Sequence, residues 1–213
     1  MRELLMLAKD FSISMALVDY IPVIFFGCAI VILIRSLGSK MNKAQFALFS
    51  AGSINVFAAG FLKATYKLLY ASGVCDFEAL NHMFFPVQSI GFLLAGAAMI
   101  WFVLEKNCSK KRINSAVPPV FSGTFLFVGL MCTGLLLLDV ALCVLSKRLK
   151  KSWVMILFIL SFVCSLGMGY LSSQDFEQAA MNWIAEGVNI VGQGTLLAGV
   201  LVLRKSGLED LEC

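Results

Sequence analysis

The stretch YIPVIFFGCAIVILIRSLGSK, residues 20–40, carries no charge from Tyr20 to Ile34 and then ends in Arg35 and Lys40. Together with the apolar residues before it, it reaches the length of about 20 residues with which a helix crosses a bilayer. It is too long for the apolar region of a cleavable signal peptide. We therefore interpret it as a first transmembrane helix that the mature protein retains.

The rest of the chain continues this pattern. Of 213 residues, 60% are hydrophobic and 14% are charged, with a mean hydropathy of +0.89, whereas soluble domains are about 45–50% apolar and about 25% charged. The sequence predicts an all-α polytopic membrane protein in one compact helical domain. Six transmembrane spans are expected, at roughly 13–36, 44–71, 79–104, 118–145, 152–171 and 180–203.

The net charge of +4 comes from basic residues that cluster at the expected helix ends, in RSLGSKMNK, KNCSKKR, SKRLKKS and LRKSG. Such clusters are typical of topology signals and of contact with anionic lipid headgroups, so the expected partner is the bilayer and not a nucleic acid. The seven cysteines form no CxxC motif and no Cys/His cluster. No metal site and no cofactor is therefore expected.

The two halves of the chain resemble each other. YASGVCDFE at 70–78 matches YLSSQDFE at 170–177, and GFLLAG at 91–96 matches GTLLAG at 194–199. We interpret this as a duplicated three-helix unit. The expected segments are an interfacial stretch 1–11, a first repeat 12–106, a basic connecting loop 107–117, a second repeat 118–205 and a short tail 206–213.

The relative orientation of the two repeats is left open by the sequence. Six alternating spans would make them inverted repeats, a common plan in transporters. The first loop of each half is basic, however, and the positive-inside rule then favours the same orientation for both. That arrangement needs a linker helix and seven spans, as in the seven-helix sugar and vitamin carriers, which this plan resembles. Residues 113–146 are short for two spans, so six alternating spans are favoured, with a re-entrant segment or dual topology as alternatives.

A polar stripe follows the last span. Asn182, Glu186, Asn189 and Gln193 lie four, three and four residues apart, which places them on one helix face. A charge at the bilayer centre costs about 2.5–3.5 kcal/mol, so it is expected to face water or a partner. We interpret the stripe as an ion or solute path, with an interhelical hydrogen-bond seam as the alternative.

The third span repeats this stripe in weaker form, with Asn81 and Gln88. Pro86 beside it is expected to kink the helix, and Gly187 occupies the matching place in the last span. Interrupted helices at matched positions point to a midplane binding site. Small residues four apart on both spans, which favour close helix packing, are Gly91, Ala95, Gly194 and Ala198.

A second group of residues lies near the expected span ends. In the alternating model Asp19, Lys63, Lys67 and Asp139 share one half of the membrane with His82. The two acids and the two lysines are candidates for ion pairs. The alternative for the lysines is that their ammonium groups reach the headgroups along the lipid.

The function expected is a small transporter or channel for a polar solute or an ion. The sequence contains no HExxH, GxSxG or P-loop motif and a single histidine, so we expect no enzyme and no catalytic residues; a lipid-modifying enzyme is the least favoured reading. The main alternative is a non-transporting module, either a subunit of a larger complex or a sensor of a ligand or lipid. Short loops favour a bacterial cytoplasmic membrane, and a homodimer or a membrane partner stays open.

Overall fold

The computed structural model describes residues 12–105, 124–171 and 179–211, and all regular structure in these ranges is helical. The interfacial stretch 1–11 and the loop 107–117 lie outside the described residues. The helices are α1 (Ile13–Val18), α2 (Tyr20–Leu37), α3 (Lys43–Ala71), α4 (Glu78–Glu105), α5 (Thr124–Arg148), α6 (Met155–Leu171) and α7 (Ala179–Lys205). Short 3₁₀ turns occupy Gly38–Lys40, Ser152–Val154 and Leu208–Asp210.

Five helical segments of the described chain are long and apolar enough to cross a membrane. They are Ile13–Lys40, Lys43–Ala71, His82–Glu105, Leu126–Arg148 and Met181–Lys205. The apolar segment Ser152–Met168, which includes most of α6, is shorter. The all-helical membrane architecture is thus confirmed with five long helices, while the sixth span and the repeat stay predictions.

The first span differs from the single helix expected over 13–36, because it is divided at Asp19 into α1 and α2. Pro22 explains the division: it has no N–H to donate to the carbonyl of Val18, four residues earlier. Ser12 caps α1 by accepting a hydrogen bond of 3.2 Å from the Met15 N–H. The break leaves the Asp19 side chain buried at the junction.

The start of α3 is tied to the end of α4. Asn42 and Gln45 form a reciprocal capping box at the first turn of α3. Both side-chain amides also donate hydrogen bonds to the Glu105 carboxylate at the last residue of α4, from Asn42 at 3.1 Å and from Gln45. Helices α3 and α4 therefore run antiparallel.

Helices α4 and α5 run in the same direction, contrary to the alternation expected from the sequence. Arg148, the last residue of α5, donates a hydrogen bond of 2.7 Å to the carbonyl of Val103 near the end of α4. Further back, a Cβ added to Gly96 would lie 2.2 Å from the Gly134 carbonyl oxygen. The last residue of α4 and the first residue of α5 thus lie at opposite ends of the bundle, and the expected inverted arrangement is wrong for the described helices.

Contacts of α2, α6 and α7 give the directions of the remaining helices. A Cβ on Gly199 would lie 2.6 Å from the Phe158 ring and one on Gly192 would lie 2.9 Å from Cys164, so α6 and α7 are antiparallel. Lys40 donates to the carbonyl of Leu211 at 2.8 Å, which places the ends of α2 and α7 together. Each set of three helices, α2–α4 and α5–α7, therefore runs up, down and up in the same sense.

One end of the bundle collects the basic residues, because four parallel helices end there and the two antiparallel ones begin there. We call it the basic end. Its basic residues are Arg35, Lys40, Lys43, Lys147, Arg148, Lys150, Lys151, Arg204 and Lys205. This distribution satisfies the positive-inside rule with all basic loops of the described chain on one side, which removes the conflict in the sequence.

The half of the bundle next to the basic end is packed differently from the half away from it. The buried apolar core lies in the half next to the basic end and includes Leu33, Phe49, Met99, Leu142 and Leu203. Large apolar side chains on the outer helix faces are exposed instead, as expected of a surface in contact with lipid tails. They include Ile24, Val31, Ile54, Ile156, Ile159, Val163 and Val191.

Candidate functional site

A cavity of about 140 Å³ lies in the half of the bundle away from the basic end. We call it the central cavity, because each of the helices α2 to α7 contributes to its lining. Its apolar floor faces the packed half and consists of Phe26, Val56, Phe92, Met131 and Leu135. Its charged and amide side chains are Asp19, Lys63, Lys67, Gln88, Glu186, Asn189 and Gln193.

An ion-pair network crosses between the two halves of the chain at this cavity. Lys67, in the last turns of α3, donates a hydrogen bond of 2.9 Å to Glu186 Oε1 on α7 and forms an ion pair with Asp19 Oδ2. The three side chains are at most 9% exposed. Burial of ions is costly unless they are paired and hydrogen-bonded, so the contacts of one ammonium group with two carboxyl groups offset part of the cost of burying all three.

Two buried acceptors among the described residues that line the cavity have no hydrogen-bond partner. Glu186 uses Oε1 for Lys67, while its Oε2 is buried without a partner. Gln193 Oε1, about two turns further along α7, is likewise buried and unpartnered. Buried acceptors are nearly always satisfied in folded proteins, so each of these two oxygens marks a position where a donor from outside the chain fits.

Lys63 lies one turn before Lys67 and makes different contacts. Its ammonium group is 3.9 Å from the centroid of the Phe84 ring and 5.8 Å from that of Phe85. No carboxylate of the described chain lies within ion-pair distance of it. The cavity therefore has one lysine bound to two acids and a second lysine held only by aromatic faces, which is a weaker, cation–π type of contact.

Only part of the expected polar stripe lines the central cavity. Glu186, Asn189, Gln193 and the matching Gln88 of α4 line it. Asn182 is buried but is not part of the lining. The side chain of Asn81 lies outside the described residues.

Asp139 does not join the other ionic candidates, which corrects its expected position. Because α5 runs parallel to α4, Asp139 lies in the packed half near Cys143, and it does not line the cavity. Its Oδ1 is buried without a partner. The expected grouping depended on helix alternation and is lost with it.

The expected hinge residues lie within continuous helices. α4 runs through Pro86 and α7 runs through Gly187. Both positions lie beside cavity-lining residues, Phe85 and Glu186. A Cβ added to Gly187 would meet nothing within 4 Å, so this glycine is not required by packing.

The four small residues differ in their surroundings. A Cβ added to Gly52 of α3 would lie 2.6 Å from both the Gly91 carbonyl oxygen and the Ala95 nitrogen, so α3 and α4 are in close backbone contact there. Gly194 is in ordinary contact with the Phe25 ring at 3.6 Å, and Ala198 is exposed.

Several site features were missed by the sequence analysis. The aromatic walls come from Phe57, Phe84 and Phe85, which are spread over two helices and look like ordinary lipid-facing residues in the sequence. Gly96 and Gly134 form the α4–α5 contact. Their only signal was glycine in a long helix, which costs stability unless a close approach requires it.

Comparison of the chain with protein-family models, with curated proteins and with solved structures finds no match.

Proposed function

We propose that this protein is a small membrane transporter whose central cavity binds a polar solute. The observation that carries the proposal is the ionic network Asp19–Lys67–Glu186 beside unpartnered acceptors, in a cavity shared by α2 to α7. Buried charges within a membrane segment are expensive and are typically found on substrate or ion pathways.

The helix directions support a specific plan for this transporter. Both three-helix sets run in the same sense, and α3 packs on α4 as α6 packs on α7. We infer two parallel repeats related by an axis along the membrane normal, a plan found in some transporters. Six spans result when α6 is counted, and its exposed residues Ile156 and Val163 fit a lipid-facing helix.

The packing difference between the two halves suggests how transport proceeds. With the basic end in the cytoplasm, the cavity lies in the outer half and the dry core closes the inner half. Alternating access then requires the packed half to open and the cavity to close. This mechanism fits a carrier better than a continuously open channel, because the apolar floor interrupts the polar path.

The proposal is tested by uptake into proteoliposomes. Glu186→Gln removes the charge and keeps the shape of the side chain, so uptake should fall to background while the purified variant stays folded. Leu201→Ala, an exposed position further along α7, is the control and should transport as the native protein does. Native uptake by Glu186→Gln would remove Glu186 from the mechanism.

A non-transporting ligand sensor is the second candidate, because the packed half contains an apolar core without a polar path among the described residues. It predicts solute binding with no uptake. The proposed location is a bacterial cytoplasmic membrane, and a homodimer or a membrane partner is compatible with either function.

A further inference from the structure

We propose that the ligand of the central cavity is a small zwitterion of the amino-acid class, with Lys63 binding its carboxylate and Glu186 with Gln193 binding its ammonium group. This inference rests on the proposed function for its site, and it adds the chemical class of the ligand.

The charge balance of the lining favours a ligand without net charge. Counted as ionised side chains, the two acids Asp19 and Glu186 match the two lysines Lys63 and Lys67. The formal charge of the lining is therefore zero. A ligand with a net charge would leave one charge uncompensated at membrane depth, which is costly, whereas a ligand without net charge keeps the balance.

The two lysines of the cavity differ in their contacts with the acids. Lys67 is occupied by both carboxylates, while Lys63 contacts only aromatic faces. On the acidic side, Glu186 Oε2 and Gln193 Oε1 are buried acceptors without donors. A free cation and free acceptors in one cavity match a ligand that carries both a carboxylate and an ammonium group, and both contacts would be charge-assisted hydrogen bonds.

The size of the cavity and its aromatic lining also limit the ligand. The cavity volume of about 140 Å³ is close to the ~150 Å³ of an engineered cavity that takes up benzene. The rings of Phe57, Phe84 and Phe85 line the cavity together with the charged groups. A polyol would leave these rings against hydroxyl groups, whereas a zwitterion with a compact apolar side chain satisfies both the charged groups and the aromatic walls.

The test is ligand binding by the full chain in lipid nanodiscs. Each of the twenty standard amino acids is added separately, and the melting temperature is measured, because a ligand that binds only the folded state raises it. The strongest amino acid is then compared with its decarboxylated amine and its deaminated acid. We expect stabilisation by at least one amino acid, and binding of both analogues at least about tenfold weaker, since each lacks one charge-assisted contact.

Variants then test which cavity residue binds the carboxylate and which binds the ammonium group of the ligand. Lys63→Gln should weaken binding of the amino acid at least about tenfold and should not weaken binding of the amine, while Lys63→Arg should restore much of the loss. Glu186→Gln should weaken binding of the amine and leave that of the acid. Lys147→Gln, an exposed lysine at the basic end, is the control and should change neither.

The proposal is overturned if none of the twenty amino acids binds, or if one analogue binds as tightly as the amino acid. Failure of the proposed function has a separate signature, which is binding in nanodiscs without uptake into proteoliposomes. Uptake of a solute that lacks either charge would leave the transporter in place and reject the zwitterion.

Discussion

Arg148 donates a hydrogen bond of 2.7 Å to the carbonyl of Val103, and this contact joins the last turns of α5 and α4 at the basic end. Two helices whose ends meet in this way, and which are also in contact at Gly96 and Gly134, run parallel. The direction of α5 decides whether the two halves of the chain are inverted. It also decides which polar residues share the central cavity.

The parallel arrangement of α4 and α5 predicts that all the described basic loops lie on the same side of the membrane. In a variant without native cysteines, Lys40→Cys, Lys150→Cys and Lys205→Cys should react with a membrane-impermeant thiol reagent only after the cells are permeabilised. Val74→Cys, in the exposed turn after α3, should react in intact cells. The measurement is the labelled fraction of each variant before and after permeabilisation. Labelling of position 150 from the side opposite to position 40 would restore the inverted arrangement.

Removal of Lys67 should destabilise the protein strongly. Lys67→Met leaves Asp19 and Glu186 buried without their shared cation, and breaking a buried ion pair in this way costs about 3–5 kcal/mol. Lys63→Met, one turn away on the same helix, is the matched control and should cost less, because Lys63 has no carboxylate partner in the described chain. Stability is measured by thermal unfolding in detergent.

The triple variant Asp19→Asn, Lys67→Met, Glu186→Gln separates charge from shape. It removes the uncompensated carboxylates and should recover most of the stability lost in Lys67→Met. If the unfolding temperature of Lys67→Met equals that of the native protein, the ion pairs do not stabilise the contact between the two halves of the chain. The electrostatic explanation of the site is then wrong.

The sequence predicted the helical membrane architecture because long apolar runs leave a chain few alternatives. It also predicted the stripe that places Glu186, Asn189 and Gln193 on one face, since helical periodicity is local. The direction of α5 was not accessible from hydropathy, because a helix is equally apolar in either direction. Asp139 was misplaced for this reason alone.

The partners of Glu186 were equally out of reach of the sequence. Lys67 is 119 residues away in the chain, and the spacing of residues within a helix says nothing about which residue faces it from another. The basic loops did carry the decisive signal, since their positions favoured equal orientation.

The glycine seam between α4 and α5 should not tolerate a methyl group. A Cβ added to Gly134 would lie 2.4 Å from backbone atoms of Phe92 and Leu93, so the helices must separate, and overpacking of this kind costs about 1–3 kcal/mol. Gly129→Ala is the matched control on the same helix, because a Cβ there meets nothing within 4 Å. The unfolding temperature of Gly134→Ala should fall and that of Gly129→Ala should not; equal values would reject the close contact.

The hinge hypothesis for α7 is tested by Gly187→Ala. The added methyl group meets nothing within 4 Å, so the stability should stay the same or rise, as is usual when alanine replaces glycine inside a helix. If α7 bends at this position during transport, the uptake rate should fall while solute affinity is kept. Unchanged uptake would leave Gly187 without a hinge role. The measurement is initial uptake against solute concentration, which separates the rate from the affinity.

Thiol labelling along α7 distinguishes a wet cavity from a dry seam. Asn189→Cys and Gln193→Cys line the central cavity and should react with an impermeant reagent added at the end opposite to the basic one. Val191→Cys is exposed on the outer face of the helix and should stay unreactive, because lipid excludes the charged reagent. Asn182→Cys gives different results for the sequence pattern and for the structure. If the whole polar stripe is in contact with water, position 182 should react as fast as positions 189 and 193. Because Asn182 is buried and does not line the cavity, the structure predicts slow labelling there. If positions 189 and 193 also fail to react, the polar residues form a packing seam, and the solute site has to be given up.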